Sequence, residues 1–330
     1  MKLIVTGCYG FIGFNFINYL KNLYKNEIKI IGIDSLNNYY SRKNFSIDNN
    51  FDFLKLNINN INKVENKILN NVDGLINFAA ESHVDNSISN PQKFINSNVS
   101  GLTKLLEFSI DKKVKNFLHI STDEVYGSMK SGFAKEDSIF NPSSPYSASK
   151  GSAELMLKSF SKTYGYPVKI VRPANNYGIY QQPEKLIPFS IINLLEGNNI
   201  ELYGEGKNIR HWLSVKDTCS AIDRVFFNGK DDEAYNIGSG VYLTNLEISK
   251  KIINILNLDR NRISFIKDRP GHDFRYAVDY QKLQNLGWGN NVNFDTELEK
   301  TILWYKTNRN WWHRGMKSIL ERRKERFKLN

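Results

Sequence analysis

Within its first thirteen residues the chain commits to one kind of opening. Lys2-Leu3-Ile4-Val5-Thr6 is a short apolar run of the sort that forms a buried strand, and it passes directly into Gly7-Cys8-Tyr9-Gly10-Phe11-Ile12-Gly13. Phe14, Phe16, Ile17 and Leu20 follow at helical spacing. Three glycines between a strand and a helix serve three needs: a tight turn, close approach of backbone to a pyrophosphate, and close packing of the helix on the strand. The amides at the helix start then favour an anion. Glycine also occurs wherever a turn needs positive φ, so the triplet gains its meaning from the strand before it and the helix after it.

The segments that follow fit the same scheme. Residues 28–33 form a second apolar run that ends at Asp34. A carboxylate there accepts both hydroxyls of an adenosine ribose and repels a 2′-phosphate, which selects NAD over NADP. Residues 51–56 are a third strand, followed by Asn57 and Ile58, placed to read an adenine edge. Residues 72–80 are a fourth, whose small Ala79-Ala80 end leaves room for a cofactor, and residues 81–85 read as a polar loop. Residues 94–110 read as helix, with Asn98 placed to bond loop backbone near the cofactor. Residues 117–120 are a fifth strand leading into Ser121-Thr122-Asp123-Glu124-Val125-Tyr126-Gly127, residues 148–164 a helix carrying Lys150, and residues 168–171 a sixth strand. This alternation predicts an α/β chain with a doubly wound parallel Rossmann sheet, with ligands at the C-terminal strand ends.

Beyond Pro173 the pattern is mixed. Asn175-Asn176-Tyr177-Gly178 reads as a turn, residues 184–188 enter a helix, residues 200–206 are a strand and turn, and residues 268–272 a polar loop. The expected division is an NAD-binding Rossmann domain over 1–174, with a return segment near 211–237. A smaller mixed α/β substrate-binding domain covers 175–310, and a basic tail 311–330.

Composition narrows the class. The chain has 330 residues, 41% of them hydrophobic, as expected of a soluble globular protein, and no apolar run long enough to span a membrane. No cleavable leader is expected before the first strand. Cys8 and Cys219 lack metal-ligand or disulfide spacing, which suits a cytoplasmic protein without a metal. Net charge is +11, of which +6 lies in residues 309–330. Such a terminal helix reads as a solvated face, with nucleic acid the less favoured partner.

Tyr146 and Lys150 lie one helical turn apart and so project from one face. An ammonium beside a phenol favours phenolate, lowering a pKa of about 10. Tyr146 is thus a base toward a substrate hydroxyl, with Thr122 able to bond the same oxygen. Together with the motifs at Thr6 to Gly13, Ala79 to Ile88, Ser121 to Gly127, Asn175 to Pro188, Ile209 to Asp217 and Asp268 to Asp273, this pair carries a resemblance. From about residue 3 to about residue 305 the chain resembles the nucleotide-sugar 4,6-dehydratases of the extended short-chain dehydrogenase/reductase superfamily. The likeness leans to dTDP-glucose enzymes, with UDP-glucose enzymes close behind. Thr122-Asp123-Glu124-Val125-Tyr126-Gly127 is its most telling part, because related 4-epimerases lack the Asp-Glu pair and related decarboxylases usually keep only the Glu.

The resemblance implies a nucleotide-diphosphate-glucose substrate, tightly bound NAD regenerated each turnover, and Thr122, Asp123, Glu124, Tyr146 and Lys150 as the catalytic set. Glu124 would remove the C5 proton and a protonated Asp123 would assist the departing C6 hydroxyl. Gly7, Gly10, Phe11, Ile12, Gly13, Asp34, Asn57, Ile58, Ala79, Ala80, Asn98, Tyr146, Lys150 and Asn176 would line the cofactor site. Ser82, Thr122, Asn175, Lys185, Leu186, Tyr203, Arg210, Asn245, Arg269 and His272 would meet the substrate. Arg210 and Arg269 suit a diphosphate, since a guanidinium fork matches phosphate oxygens. His83 and His272 read as hydrogen-bonding or packing residues rather than bases. A homodimer built on the helices around 94–110 and 148–164 is also implied, as is an early step of rhamnose or other deoxysugar synthesis. The competing expectations are a 4-epimerase of the same superfamily and a non-catalytic NAD-binding sensor. Three positions depart from the family pattern: Asn57 for the usual Asp, Cys8-Tyr9 for a small Gly-Ala pair, and His211 for an Asp that is expected to orient Arg210. Tyr9 must therefore point away from the pyrophosphate. Trp311-Trp312 open a tail expected to be a helix docked by its tryptophans.

Overall fold

A computed structural model describes residues 1–37 and 50–328, with no side-chain description at 317, 318 and 321–328. The expected basic tail therefore lies partly outside the described residues. Seven strands form one sheet: β1 (Lys2–Thr6), β2 (Lys29–Asp34), β3 (Phe51–Lys55), β4 (Gly74–Asn77), β5 (Asn116–Ile120), β6 (Val168–Pro173) and, out of sequence, β10 (Ala234–Ile237). Their spatial order is β10-β6-β5-β4-β1-β2-β3, and every neighbouring pair is parallel. The order reverses between β1 and β4, the switch point at which a doubly wound sheet opens a crevice. Strands such as Leu3-Ile4-Val5 are apolar on both faces because helices cover both.

On one face lie α1 (Phe11–Tyr24) and, from later in the chain, α7 (Val215–Asn228), whose Cys219, Ile222 and Phe226 pack with Phe16, Ile17 and Leu20. On the other lie α4 (Gly101–Asp111) and α5 (Pro145–Tyr164). The helix expected over 94–110 is built in three pieces after α2 (Val84–Ser89). These are α3 (Pro91–Phe94), a π-helical turn (Ile95–Ser100) and α4. The widened turn contains Asn98, and π-turns recur where a helix must aim a functional side chain. Helix α5 starts at a Ser144–Ser147 capping box with Pro145 in its first turn, three residues before the expected start.

The remaining strands form two smaller sheets. β7 (Asn175–Tyr177), β9 (Ile209–Ser214) and β11 (Tyr242–Thr244) make one, and β8 (Ile200–Tyr203) pairs with β12 (Ile263–Ile266) in the other. Two local expectations are corrected. Asn175–Tyr177 is a strand rather than a turn, because it finds Trp212–Ser214 as a parallel partner. The polar stretch after Ala80 is a loop only to His83; Val84 and Asp85 already belong to α2.

Helices α6 (Leu186–Leu195), α8 (Asn245–Ile255), α10 (Phe294–Thr307) and α11 (Arg309–Lys328) gather a separate apolar core with these sheets, while the short α9 (Gln281–Asn285) runs beside β10. Trp312 is 1% exposed in that core, and its indole N–H donates to the Tyr305 carbonyl at 2.8 Å. Trp311 packs edge-on against Trp304. The tail is thus docked by its tryptophans as expected. No helix among the described residues is long and apolar enough to cross a membrane.

Trp312→Ala should cost about 3–5 kcal/mol of stability, the usual range for emptying a buried aromatic site. Urea denaturation of the full chain checks this, and a loss below about 1 kcal/mol would show that α11 is not part of the core.

Candidate active site

The switch-point crevice is bounded first by the glycine loop. Gly7 takes φ +63, and a Cβ there would sit 2.7 Å from Ala79 N and Phe78 C. A Cβ on Gly13 would overlap the Gly7 carbonyl, whereas one on Gly10 meets only that carbonyl, at 3.1 Å. Two glycines therefore serve close packing and the middle one keeps the loop's outer side clear. Helix α1 begins at Phe11 with no side-chain cap, so its positive end is left for an anion. Cys8 is fully buried, and the Tyr9 ring stands edge-on to Phe53 at 4.7 Å, away from the loop as the sequence requires.

Asp34 closes this end. Its carboxylate accepts the Tyr9 N–H at 3.0 Å and the Leu36 N–H at 2.8 Å, and burial raises its pKa. Asn57 caps a short 3-10 turn, its side-chain oxygen accepting from Asn59 N at 3.0 Å. Ile58 is buried beside it, Ala79 is half-buried and Ala80 exposed. Asn98 reaches across as expected: it accepts from Glu81 N at 2.8 Å, and donates to Glu81 O and to Ser149 Oγ. It thus holds the loop after β4 against α5. Asn176 is turned inward, donating to Ala174 O and accepting from Thr218 Oγ1 at 2.6 Å.

At the end of β5, Thr122 caps the short turn Asp123–Tyr126 by accepting from Glu124 N. Gly127, at φ +69, ends the turn where a Cβ would collide with the Asn141 carbonyl. Asp123 is 3% exposed, and its Oδ2 has no partner. Burial, then the Glu124 charge, holds its carboxyl well above the usual range. Glu124 is half-buried and is also raised by burial, but Arg269, Lys185 and Arg210 pull it back. Both carboxyls are thus raised, Asp123 the more, and the cations around Glu124 make it the better suited of the two to carry the charge.

Tyr146 and Lys150 share one face of α5 and are both buried. The expected depression of the phenol by the ammonium is not found. Burial, then Glu124, pushes Tyr146 up, and only the Thr122 hydroxyl beside it works the other way among the nearest groups. The Lys150 amine is engaged elsewhere: it donates to Ile120 O at 2.6 Å and meets His119 Nε2 at 3.0 Å. His119 continues to Asn77 at 3.0 Å and Asn77 to Thr6 at 2.6 Å, so a buried polar chain runs from Lys150 to the strand under the glycine loop. Desolvation lowers Lys150 to about 8.

Facing this edge are the residues of the second half. Arg210 is held by the carbonyls of Ile209, Asp273 and Phe274 and lies 4.5 Å over the Tyr276 ring. His211 does not orient it. That ring accepts the N–H groups of Ser239 and Gly240 and lies against Tyr242, with burial lowering its pKa to about 3. Arg269 pairs with Asp85 at 2.7 Å, and its Nε is buried without a partner. Lys185, the residue before α6 and before Leu186, donates to Ser82 O. Tyr203 reaches Asp85 at 3.4 Å. His272 bonds Asp268 and is held down to about 4 by burial first, then by Arg269 and Arg210. Asn175 Oδ1 and Asn245 Oδ1 are buried without partners. Orphaned polar atoms on Asp123, Asn175, Asn245 and Arg269, with an uncapped helix start behind close-packed glycines, fit a dinucleotide beside a polar anionic substrate.

The sequence assigns no role to the groups that support these residues. Asp85, Asp273 and Tyr276 partner the arginines, and His119 partners Lys150. Only His119 could have been singled out, by its place one residue before Ile120 at the end of β5.

A family model described as GDP-mannose 4,6 dehydratase matches residues 4–301. The low-salt glycan biosynthesis protein Agl12 of Haloferax volcanii is 41% identical over 308 residues, covering 92% of this chain and 98% of that protein. The dTDP-glucose 4,6-dehydratase of Streptomyces niveus is 38% identical over 319 residues, covering 94% of this chain and 95% of that protein. Among solved structures, DesIV from Streptomyces venezuelae, a dTDP-glucose 4,6-dehydratase crystallised with NAD, superposes with TM-score 0.91. It is 40% identical and covers 94% of this chain and 99% of that one.

Because the Asp123 carboxyl is raised, the folded chain binds its proton more tightly than the unfolded chain does. The stability this gives is full below the unfolded pKa of about 3.9 and is lost as pH rises through the folded value. Asp123→Asn escapes that loss. Its melting temperature should exceed that of the wild type by a margin that widens as pH rises above the unfolded pKa of about 3.9. A margin independent of pH would mean that Asp123 is not held protonated.

Proposed function

This chain belongs to the GDP-mannose 4,6-dehydratase family, and on that premise we propose that it is an NAD-dependent dTDP-glucose 4,6-dehydratase, a hydro-lyase. The reading rests on one observation above all: adjacent Asp123 and Glu124, both raised by burial but Glu124 pulled back by three cations, beside Tyr146. Sugar oxidation at C4 makes the C5 proton acidic, since the carbanion is an enolate. Tyr146, in its phenolate form, would take the proton of the C4 hydroxyl, with Thr122 bonded to the same oxygen. A neutral Asp123 removes one of the two charges that oppose ionisation of that phenol. Glu124 then takes the C5 proton, and Asp123 delivers its own to the departing C6 hydroxyl, which leaves as water. NAD, when bound, would supply the hydride chemistry, accepting from C4 and giving back at C6, while protonated Glu124, in exchange with solvent, returns a proton to C5.

The cofactor would lie along Gly7, Gly10, Phe11, Ile12 and Gly13, with Asp34 at the adenosine ribose and Lys150 at the nicotinamide ribose. The same reading puts Arg210, Arg269 and Lys185 on the diphosphate, with Asn175, Tyr203, Asn245 and His272 around the rest of the nucleotide sugar. Arg269 would exchange Asp85 for phosphate oxygens, a charge-assisted contact that a guanidinium fork makes in pairs. Residues 1–174 with the return through α7 and β10 would form the cofactor domain, and the rest the substrate domain. A homodimer would cover Ile88, Ile95, Leu155 and Tyr164, all exposed on the α2, α3–α4 and α5 side. A monomeric sedimentation mass rejects that part. Two buried free cysteines suit a cytoplasmic setting.

Purified protein incubated separately with dTDP-glucose and UDP-glucose, without added NAD, should release a 4-keto product lighter by one water. The two bases differ by a methyl group, a contact worth about 1–3 kcal/mol, and the two sugars by a 2′-hydroxyl, so the preferred nucleotide should lead by at least about 10-fold in kcat/KM. A sugar isomer of unchanged mass would mean an epimerase, and no turnover with added NAD would mean a sensor. Glu124→Gln should keep the wild-type fold and lower kcat by about 10²–10⁴-fold. Full activity in that variant contradicts its role as the C5 base.

A further inference from the structure

A buried ion pair that the chemistry does not use lies beneath the catalytic turn. Arg172 on β6 and Glu154 on α5 are both fully buried. Taking two charges out of water is costly, and apolar residues of similar volume are often as stable, so folding stability alone is a weak account of such a pair. Its connections suggest another. Glu154 lies one helical turn beyond Lys150 and two beyond Tyr146. Its Oε1 accepts the Ser121 hydroxyl at 2.5 Å and Arg172 Nε at 3.0 Å, and its Oε2 accepts Arg172 Nη2 at 2.7 Å. Arg172 Nη1 donates to the Tyr126 hydroxyl and to Glu136 O at 2.8 Å, and the guanidinium lies over the rings of Tyr126 and Phe140. Tyr126 in turn donates to Asn236 on β10 at 2.8 Å.

Ser121 and Tyr126 bracket Thr122, Asp123 and Glu124. Each end of the catalytic turn is therefore tied to the same buried pair, and the pair is anchored in the helix that bears Tyr146 and Lys150. We propose that Glu154 and Arg172 are positioning residues: a clamp that sets the carboxyls acting at C5 and C6 relative to the phenol acting at C4. This rests on the dehydratase reading for its consequence in turnover, though not for the clamp itself. One substrate must meet both sets of groups in a single pose, and misplacement by about 1 Å costs about 10²-fold in rate.

The test uses the full chain with its cofactor as purified. Glu154→Leu/Arg172→Met removes both charges and leaves no buried ion unpaired. We expect a melting temperature close to that of the wild type and unchanged NAD content. Amide hydrogen exchange should quicken at residues 121–127 but not along β1, and kcat for dTDP-glucose should fall about 10²-fold with KM nearly unchanged. Wild-type exchange in the turn together with wild-type kcat would overturn the proposal. Should the double variant fail to fold, Glu154→Gln keeps an acceptor for Ser121 and is held to the same exchange criterion. Should the wild type not release water from the substrate, the dehydratase reading falls, while the exchange comparison still decides the clamp.

Discussion

Two adjacent carboxyl groups at the buried end of a strand cannot both be charged unless the surroundings supply cations. Much of this structure answers that constraint. Burial and its neighbour's charge raise the Asp123 carboxyl and favour its protonated form. Glu124 is made tolerable by Arg269, Lys185 and Arg210, which come from three separate segments of the second half of the chain. The same cations suit a diphosphate, so on the proposed reading one cluster of positive charge would serve both the base and the substrate. The turn after β5 supplies the acids and later segments the counter-charge, and the two come together only in the fold.

The strand-glycine-helix opening and the alternation up to β6 were legible because the information is local. Apolar runs such as Leu3-Ile4-Val5 and a glycine turn at fixed spacing declare themselves within a dozen residues. The Trp311-Trp312 anchor was legible for the same reason, since two tryptophans in a charged tail need a surface to cover them. β7 was not. Asn175-Asn176-Tyr177-Gly178 has the composition of a turn, and only a partner some forty residues later makes it a strand. The partners of Lys150 were hidden likewise. Tyr146 and Lys150 advertise each other at helical spacing, yet the amine is taken by His119 and the Ile120 carbonyl, which only sheet packing brings within reach. The pairing of Asp85 with Arg269 spans 184 positions and leaves no trace in sequence.

The departures from the family pattern are absorbed by ordinary packing. Tyr9 turns its ring onto Phe53 and gives only its backbone N–H to Asp34. Asn57 uses its oxygen as a helix cap, which an Asp would do equally. His211 stays neutral and caps the turn at Ser239 and Gly240, while backbone carbonyls rather than a side-chain carboxylate orient Arg210. None of the three displaces Thr122, Asp123, Glu124, Tyr146 or Lys150.

On the proposed reading one site oxidises C4, removes the C5 proton through Glu124 and completes C6 with hydrogen carried over from the substrate. Turnover of the nucleotide glucose in deuterated water tests it most directly, with the product resolved by mass and by proton NMR. The product should be lighter by one water and carry one solvent deuterium at C5 and none at C6. Deuterium at C6, or a product without deuterium at C5, would contradict it.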